Sequence, residues 1–468
     1  MYCCRKGMSL VPSQLWIFYG LVALFLAYAL AGMLIGPFNA ITGKNIVLSF
    51  TPELIAISIL TVLATGILAG SYPAFYLSHF RPIQVLKGDI KSTIGEIWAR
   101  KGLVIFQFAI TIMLIVGVVV IHRQTQYVNT KHLGYDRDNV IFFGQNGGIA
   151  AQRDAFFNEL RNIPGVIQVG STNHSLLGQE SSNPGLSWEG KAPEERILFE
   201  RFYVDQEFYE TMGFQMAEGR WFRREFASDS TKLIINETAA KAMGFSLEEA
   251  IGQRVALWEG FEFDIIGVVK DFHYVSLHEP VQPAYFRMAG TGNIVARLEA
   301  GREVEALAEI EALYHQFAPG YIFDYTFMDN SYQALYASEK RVGTLSSIFA
   351  SFAIIISCLG IFGLAAFTAE RRIKEIGIRK VLGASTSNIV MMLSRDFIYL
   401  VFASMLIALP VAYYFMREWL TQFAYKIDLS IWIFLGASLV ALVIAGLTVS
   451  SQALRAASVN PAKCLKDE

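Results

Sequence analysis

A chain of 468 residues with 53% hydrophobic and 17% charged side chains is too apolar for a wholly soluble protein and too charged to lie wholly in a bilayer, and its mean hydropathy of +0.39 agrees. Membrane and soluble domains are both expected. The formal net charge of −2 leaves no dominant basic surface and argues against nucleic acid as a partner. Cys3, Cys4, Cys358 and Cys464 fall in or beside apolar runs and their basic flanks, so no disulfide framework is expected.

In chain order, runs near 15–37, 53–77, 102–121, 343–368, 388–415 and 430–454 each reach the length of about 20 apolar residues that a bilayer requires. The first has full membrane length and lacks the order of a cleavable signal, so it is expected to stay in the bilayer. Arg5 and Lys6 precede it, and His79, Arg81, Lys87, Lys91, Arg100 and Lys101 fill the link between the second and third runs. A cluster at 371–380 follows the fourth, and Arg455, Lys463 and Lys466 follow the sixth. Every strongly basic link thus lies on one side, expected to be cytoplasmic. The loops near 38–52 and 416–429 and the long segment 122–342 then face outward. Ionisable residues are almost absent from the apolar runs, which argues against a polar ion or sugar pathway at the midplane. Arg395 and Asp396, near the start of the fifth, are expected to pair with each other.

The membrane portion carries a repeat. Ser71–Gly88 aligns without gaps onto Ser450–Asp467, with Pro82 over Pro461, Leu86 over Leu465 and Lys87 over Lys466. Spans one and two are therefore expected to be a second copy of spans five and six.

The segment 122–342 is long enough to bury a core of its own. Val140–Phe143 and Phe263–Val269 read as strands, and Ala151–Asn162, Glu237–Gly244 and Val304–Phe317 as amphipathic helices, an alternation expected of an α/β or α+β domain. Gly213, Gly219 and Gly252 are expected to close turns. Asp271, His273, His278 and Glu279 offer metal-ligating side chains, but their spacing matches no zinc signature and they are expected to be ordinary loop residues. Ser171, Ser175, Ser181 and Ser182 lie outside any nucleophile elbow, and the polar stretch 171–196 is expected to be an exposed, mobile loop that could hold a partner or cargo. Gly43–Lys44 fails as a phosphate loop because Phe38 occupies the first glycine position and Asn45 replaces Ser/Thr. The chain is expected to be a non-catalytic subunit, with no catalytic, cofactor-binding or metal-binding residues of its own.

Glu370–Ser385, ERRIKEIGIRKVLGAS, stands between two apolar runs. Ile373, Ile376, Gly377 and Val381 share one helical face, while Arg371, Arg372, Lys374, Arg379 and Lys380 fan around the other. Gly383 suits the left-handed residue that ends a helix, and Ser385 can cap the next. Charge alone would make the segment a positive-inside anchor. Its string E-x-G-I-R-K-x-L-G-A-S resembles the coupling segment of FtsX/MacB-type ABC transporter permeases. Leu133–Val140, Val204–Phe222, Ile234–Phe245 and Ile266–Pro283 are similar to stretches of the MacB-type periplasmic core domain, so the resemblance covers nearly the whole chain.

That resemblance implies an α-helical integral membrane protein of about six spans with one α+β periplasmic domain, in the bacterial inner (plasma) membrane. Residues 1–101 would be the last two spans of a first FtsX-like copy and a cytoplasmic link, 102–121 a span, 122–342 the periplasmic core, and 343–468 an FtsX-like permease domain with three spans and the coupling helix 370–385. Glu370, Arg371, Arg372, Lys374, Glu375, Gly377, Arg379, Lys380 and Gly383 would couple to a separate cytoplasmic ABC ATPase, which alone uses ATP; this chain would bind no cofactor. The function implied is that of the permease subunit of an export or mechanotransmission system, whose periplasmic domain expels or extracts cargo. The alternative is an FtsX-like regulator of a cell-envelope enzyme without cargo transport. Family members of this branch carry eight spans and two ectodomains, so the chain is expected to lack an N-terminal part bearing a second coupling segment. A second permease copy or that missing half, a periplasmic adaptor and an outer-membrane channel are further implied partners beside the lipid bilayer.

Overall fold

The computed structural model describes residues 10–78, 94–178, 181–192, 194–257, 261–289 and 291–457. The chain divides into two compact units, Met1–Val118 with Arg341–Val411 and Phe434–Glu468, and Val119–Lys340 with Ala412–Ile433. Its long helices are α1 (Leu10–Thr42), α2 (Pro52–Ser78) and α3 (Ile94–Thr130) before the sheet domain, and α10 (Ala337–Arg371), α12 (Thr386–Leu420) and α13 (Ile431–Ala457) after it, with the short α11 (Ile373–Val381) between α10 and α12. Among the described residues five helices are long and apolar enough to cross a membrane, Phe18–Thr42, Arg100–Thr130, Ala337–Arg371, Thr386–Leu420 and Ile431–Arg455. The second expected span supplies the shorter apolar stretch Pro52–Ile67 within α2.

In the first unit many large apolar side chains face outward, and Phe25, Leu60 and Leu406 are 73%, 67% and 79% exposed. Large apolar side chains turned outward are stable only in lipid, so composition and exposure agree. Where helices do meet, small polar groups mediate: Thr111 Oγ1 of α3 lies 2.8 Å from Ser357 Oγ of α10, both buried. Such bonds suit a bilayer, where the hydrophobic effect no longer draws helices together. Ser71–Gly88 and Ser450–Asp467, which carry the repeat, lie largely outside the described residues.

The second unit is built on a 12-stranded mixed sheet. Its strands are β1 (Val140–Gly144), β2 (Val166–Thr172), β3 (Ser182–Asn183), β4 (Leu186–Trp188), β5 (Phe199–Val204), β6 (Met216–Gly219), β7 (Lys232–Asn236), β8 (Arg254–Leu257), β9 (Phe261–Val269), β10 (Ala284–Met288), β11 (Asn293–Leu298) and β12 (Tyr325–Phe327). The order is β12-β1-β11-β2-β5-β10-β7-β9-β8-β4, with β3 on β5 and β6 on β9. Among the described residues only β5–β10 and β7–β9 pair in parallel. Helices α4 (Arg153–Asn162), α5 (Phe208–Met212), α6 (Glu237–Ala242), α7 (Leu247–Ala250), α8 (Glu303–Phe317) and α9 (Met328–Leu335) complete the domain.

Alternation along the strands explains the layering. In β9 Phe263, Ile265 and Val268 face one buried cluster, kept in phase by an irregularity in the pairing with β7 between Leu233 and Ile234, while Val269 faces the opposite one. Among the described residues three buried clusters result in this unit. One joins Phe156, Leu160, Ile310 and Tyr314 of α4 and α8 to β1, β2 and β11. Another places Ala239 and Ala240 of α6 against Leu233, Ile265 and Tyr285. The largest of these is aromatic, with Phe202 and Phe214 each packed on both Phe272 and Phe286. Gly219 is one glycine the fold requires: its φ is +71°, and a Cβ there would stand 2.4 Å from the Ile266 carbonyl oxygen.

The polar stretch 171–196 differs from the expected exposed loop. It contains the end of β2 and all of β3 and β4, and it buries Ser171, Thr172, His174 and Leu186. The cause is a set of charge-assisted bonds: Ser171 Oγ donates to Asp205 at 2.7 Å, and the Ser181 backbone N–H donates to the buried Glu200 carboxylate at 2.7 Å.

Candidate functional site

The segment between α10 and α12 is interrupted where the sequence predicts a single helix from 370 to 385. Glu370 and Arg371 end α10, Arg372 is the non-helical residue before α11, and α11 runs Ile373–Val381. Gly383, with φ +88°, ends the helix as expected, and Ser385 Oγ accepts from the Asn388 N–H at 3.3 Å to cap α12. Ile376 and Gly377 are buried and Ile373 half-buried, with Ile376 packed on Ile389, Leu393 and Ala453.

Val381 departs from the expected buried face. It is 65% exposed, and Ile378 and Leu382 beside it are 52% and 81% exposed. The packed face therefore runs out one turn early, because α11 ends at Val381 while the residues it packs on sit near its first turn. The charged side chains are not a uniform fan either. Arg379 pairs with Glu375 at 2.8 Å along the helix, and Arg372 pairs with Asp396 of α12 at 3.1 Å. Asp396 thus pairs with Arg372 and not, as expected, with Arg395, which instead donates to the Tyr399 hydroxyl at 3.3 Å. Arg395 and Asp396 are adjacent on one helix and point apart, while Tyr399 is one turn on. Arg371 lies over the Phe367 ring at 4.8 Å, Glu370 is exposed and Lys380 half-buried, and Lys374 sits on α11 itself. The segment presents cations on its flanks and an apolar tip of Ile378, Val381 and Leu382.

Within the second unit a separate constellation binds the sheet domain to helix ends and to the loop between α12 and α13. Gln124 of α3 is buried, donates to the Tyr425 carbonyl oxygen at 2.9 Å and accepts from the Ile427 N–H at 2.9 Å. One side-chain amide thereby fixes two backbone groups of that loop. The loop also bonds to the segment after β9, with Ala424 N–H to the His278 carbonyl at 3.1 Å and Tyr425 N–H to the Leu277 carbonyl at 3.3 Å. His278 stacks on Phe423 at 4.0 Å, and its two ring nitrogens lie 3.0 Å from the Gln422 carbonyl oxygen and 2.9 Å from a Glu339 carboxylate oxygen at the start of α10. The Tyr332 hydroxyl donates to the Val128 carbonyl at 2.9 Å, and Arg137 lies over the Tyr332 ring at 3.8 Å while pairing with Asp329 at 3.1 Å.

This joint was not visible in the sequence. A glutamine at the outer end of an apolar run and the aromatic pair Phe423 and Tyr425 in a short outward loop are the signals that could have marked it. The carboxylates and imidazoles weighed as metal ligands go to different partners. Asp271 accepts from the Thr238 N–H at 2.8 Å to cap α6, His273 packs on Tyr425 at 4.6 Å, and His278 belongs to the joint. Burial, and next the positive charge of Lys131, lower the His273 pKa to about 4, so it is neutral at pH 7. Among the described residues no group of three or more His, Cys, Asp or Glu side chains is placed to hold a metal.

Residues 102–313 match the MacB-like periplasmic core domain, and 347–461 match the FtsX-like permease C-terminal family. Relatives include the macrolide export ATP-binding/permease protein MacB of Aggregatibacter actinomycetemcomitans, 21% identical over 198 residues that make up 40% of this chain and 31% of the relative. The pyoverdine export ATP-binding/permease protein PvdT of Pseudomonas aeruginosa is 28% identical over 200 residues, 39% of this chain and 30% of that protein. The chain thus spans just under a third of the length of these curated relatives. Among solved structures, the periplasmic region of MacB from Actinobacillus actinomycetemcomitans aligns with a TM-score of 0.32 at 17% identity, covering 44% of this chain and 97% of that one. The extracellular domain of the noncanonic ABC-type transporter YknZ from Gram-positive bacteria aligns with a TM-score of 0.29 at 16% identity, over 40% of this chain and 98% of that one. With the two family matches side by side on one sheet domain and a set of membrane-length helices, the chain belongs to the FtsX/MacB-like ABC transporter permeases.

Proposed function

We propose that this chain is the permease subunit of an ABC export or mechanotransmission system in the bacterial inner membrane, with its sheet domain in the periplasm. ATP is hydrolysed by a separate cytoplasmic ABC ATPase; this chain binds no cofactor and catalyses no reaction. The observation that carries the reading is the segment at Arg372–Ser385, a short helix set off by the break at Arg372 and ended at Gly383, that turns Ile378, Val381 and Leu382 outward between cationic flanks. Exposed apolar residues outside a bilayer call for a protein partner. A groove on an ATPase accounts for the apolar tip and the cations together.

On this reading Glu370, Arg371, Arg372, Lys374, Glu375, Gly377, Arg379, Lys380 and Gly383 divide their work. Gly377 and Gly383 give the segment its packing and its end, Arg372 ties it to α12, Arg371 packs on Phe367, Glu375 and Arg379 brace each other, and Glu370, Lys374 and Lys380 meet the ATPase. The joint around Gln124, His278 and Glu339 is the other end of the linkage, where helix ends and the 421–427 loop grip the periplasmic domain that expels or extracts cargo. A periplasmic adaptor and an outer-membrane channel would complete an export pathway. The test is affinity isolation of the full chain from its own membranes, with mass spectrometry of co-purifying subunits. A subunit bearing a Walker A sequence should be recovered with the wild type and lost with Ile378→Asp/Leu382→Asp; equal recovery with both would reduce the segment to an anchor.

A further inference from the structure

A cleft of about 250 Å³ opens among α3, α10 and α12 within the first unit. Among the described residues Arg100, Lys101, Arg371 and Arg372 line it together with Asp396, which Arg372 holds at 3.1 Å. Arg100 and Arg371 lie 4.5 Å and 4.8 Å from the centre of the same Phe367 ring. The other wall is apolar and includes Leu364 and Leu400. Position in the chain fixes the depth: the apolar run of α3 begins at Gly102, directly after Lys101, and that of α10 ends at Ala369, directly before Glu370 and Arg371. The cleft therefore straddles the level where hydrocarbon gives way to headgroups.

We propose that this cleft is a binding site for an anionic phospholipid of the cytoplasmic leaflet. The lipid phosphate sits among Arg100, Lys101 and Arg371, and the first carbons of its acyl chains lie along Phe367, Leu364 and Leu400. A cluster of cations beside an apolar wall favours a ligand that is anionic at one end and apolar at the other, and the planar guanidinium groups suit phosphate oxygens. A free anion would use the cations and leave the apolar wall bare, whereas a phospholipid satisfies both. Because the lining comes from three helices, a bound lipid would tie them together next to the Arg372–Asp396 pair. The site rests on the cleft alone and needs no ATPase, so it stands or falls apart from the coupling role of α11.

The full chain in detergent is titrated with phosphatidylglycerol, with phosphatidylcholine of the same acyl chains, and with inorganic phosphate, and bound lipid is counted by native mass spectrometry. The site predicts saturable binding of phosphatidylglycerol that neither phosphatidylcholine nor millimolar phosphate displaces. Arg100→Gln/Arg371→Gln should bind it about 30-fold more weakly, the factor for two cations at about 1 kcal/mol each near a lipid surface, while Arg379→Gln, outside the cleft, should bind as wild type. Equal affinity for the two lipids, displacement by phosphate, or an unchanged double variant would overturn the proposal. Should the double variant fail to fold, the competition arms on the wild type decide alone.

Discussion

At the scale of single residues, burial makes a few polar side chains decisive. Gln124 satisfies two backbone groups of the 421–427 loop at once. Gln124→Leu is expected to cost about 2 kcal/mol, since both groups lose their partner, and to remove the hydrogen-exchange protection of the Ile427 amide while leaving the β2–β11 ladder unchanged. His273 supplies a pH dependence whose sign follows from its depressed pKa. The unfolded chain takes up a proton near pH 6.5 and the folded one only near pH 4, so this residue's contribution is complete above about 6.5 and is lost as pH falls toward 4. The shift corresponds to roughly 3 kcal/mol. Thermal melts of the full chain from pH 7 to 4.5 should fall less steeply for His273→Phe than for the wild type. Asp205, whose pKa burial raises, works in the opposite direction and blunts the total. None of these roles was legible in the sequence, where Gln124, His273 and Asp205 look like ordinary polar residues; each depends on what a distant segment places beside it.

At the scale of elements, local signals performed well where the structure is local. Residues 140–143, 263–269, 151–162, 237–244 and 304–317 were all recognisable by period, and their observed ends differ by no more than two residues. Gly383 and Ser385 were legible as the end of one helix and the cap of the next because capping is a matter of one or two side chains. The break at Arg372 was not, since the sequence around it reads as continuous helix and the Arg372–Asp396 pair joins residues 24 apart. Strands β3 and β4 were missed for a similar reason: at two and three residues they carry no period, and they exist through pairing with β5 and β8. The pairing also changes how the proposed coupling segment is best probed. Charge reversal at Arg372 would break its bond to Asp396 as well as any contact with a partner, whereas Ile378→Asp and Leu382→Asp alter side chains that are mostly exposed. Gly383→Ala, at φ +88°, is expected to cost about 1 kcal/mol and fray the end of α11, seen as faster exchange at Leu382 and Ala384 with the membrane helices unaffected.

At the scale of the whole molecule, composition and the alternation of apolar runs with one long polar segment were enough to foresee a membrane protein carrying a mixed α and β domain. The joint that binds that domain to helix ends and to a short loop was not foreseeable, because its partners come from four separate stretches of chain. Topology has a direct check. With the native cysteines replaced, Ser181→Cys should react with a membrane-impermeant maleimide added to cells with a permeabilised outer membrane, and Ser385→Cys only after the inner membrane is opened. The central claim is that an ATPase acting at α11 alters the periplasmic domain, and hydrogen exchange of the full chain with its ATPase in lipid nanodiscs, with and without ATP, measures it. The account predicts that ATP turnover changes protection at residues 421–427 and around His278, and that Ile378→Asp/Leu382→Asp abolishes the change. Identical exchange with and without ATP in a wild-type complex whose ATPase is bound and turning over would contradict it.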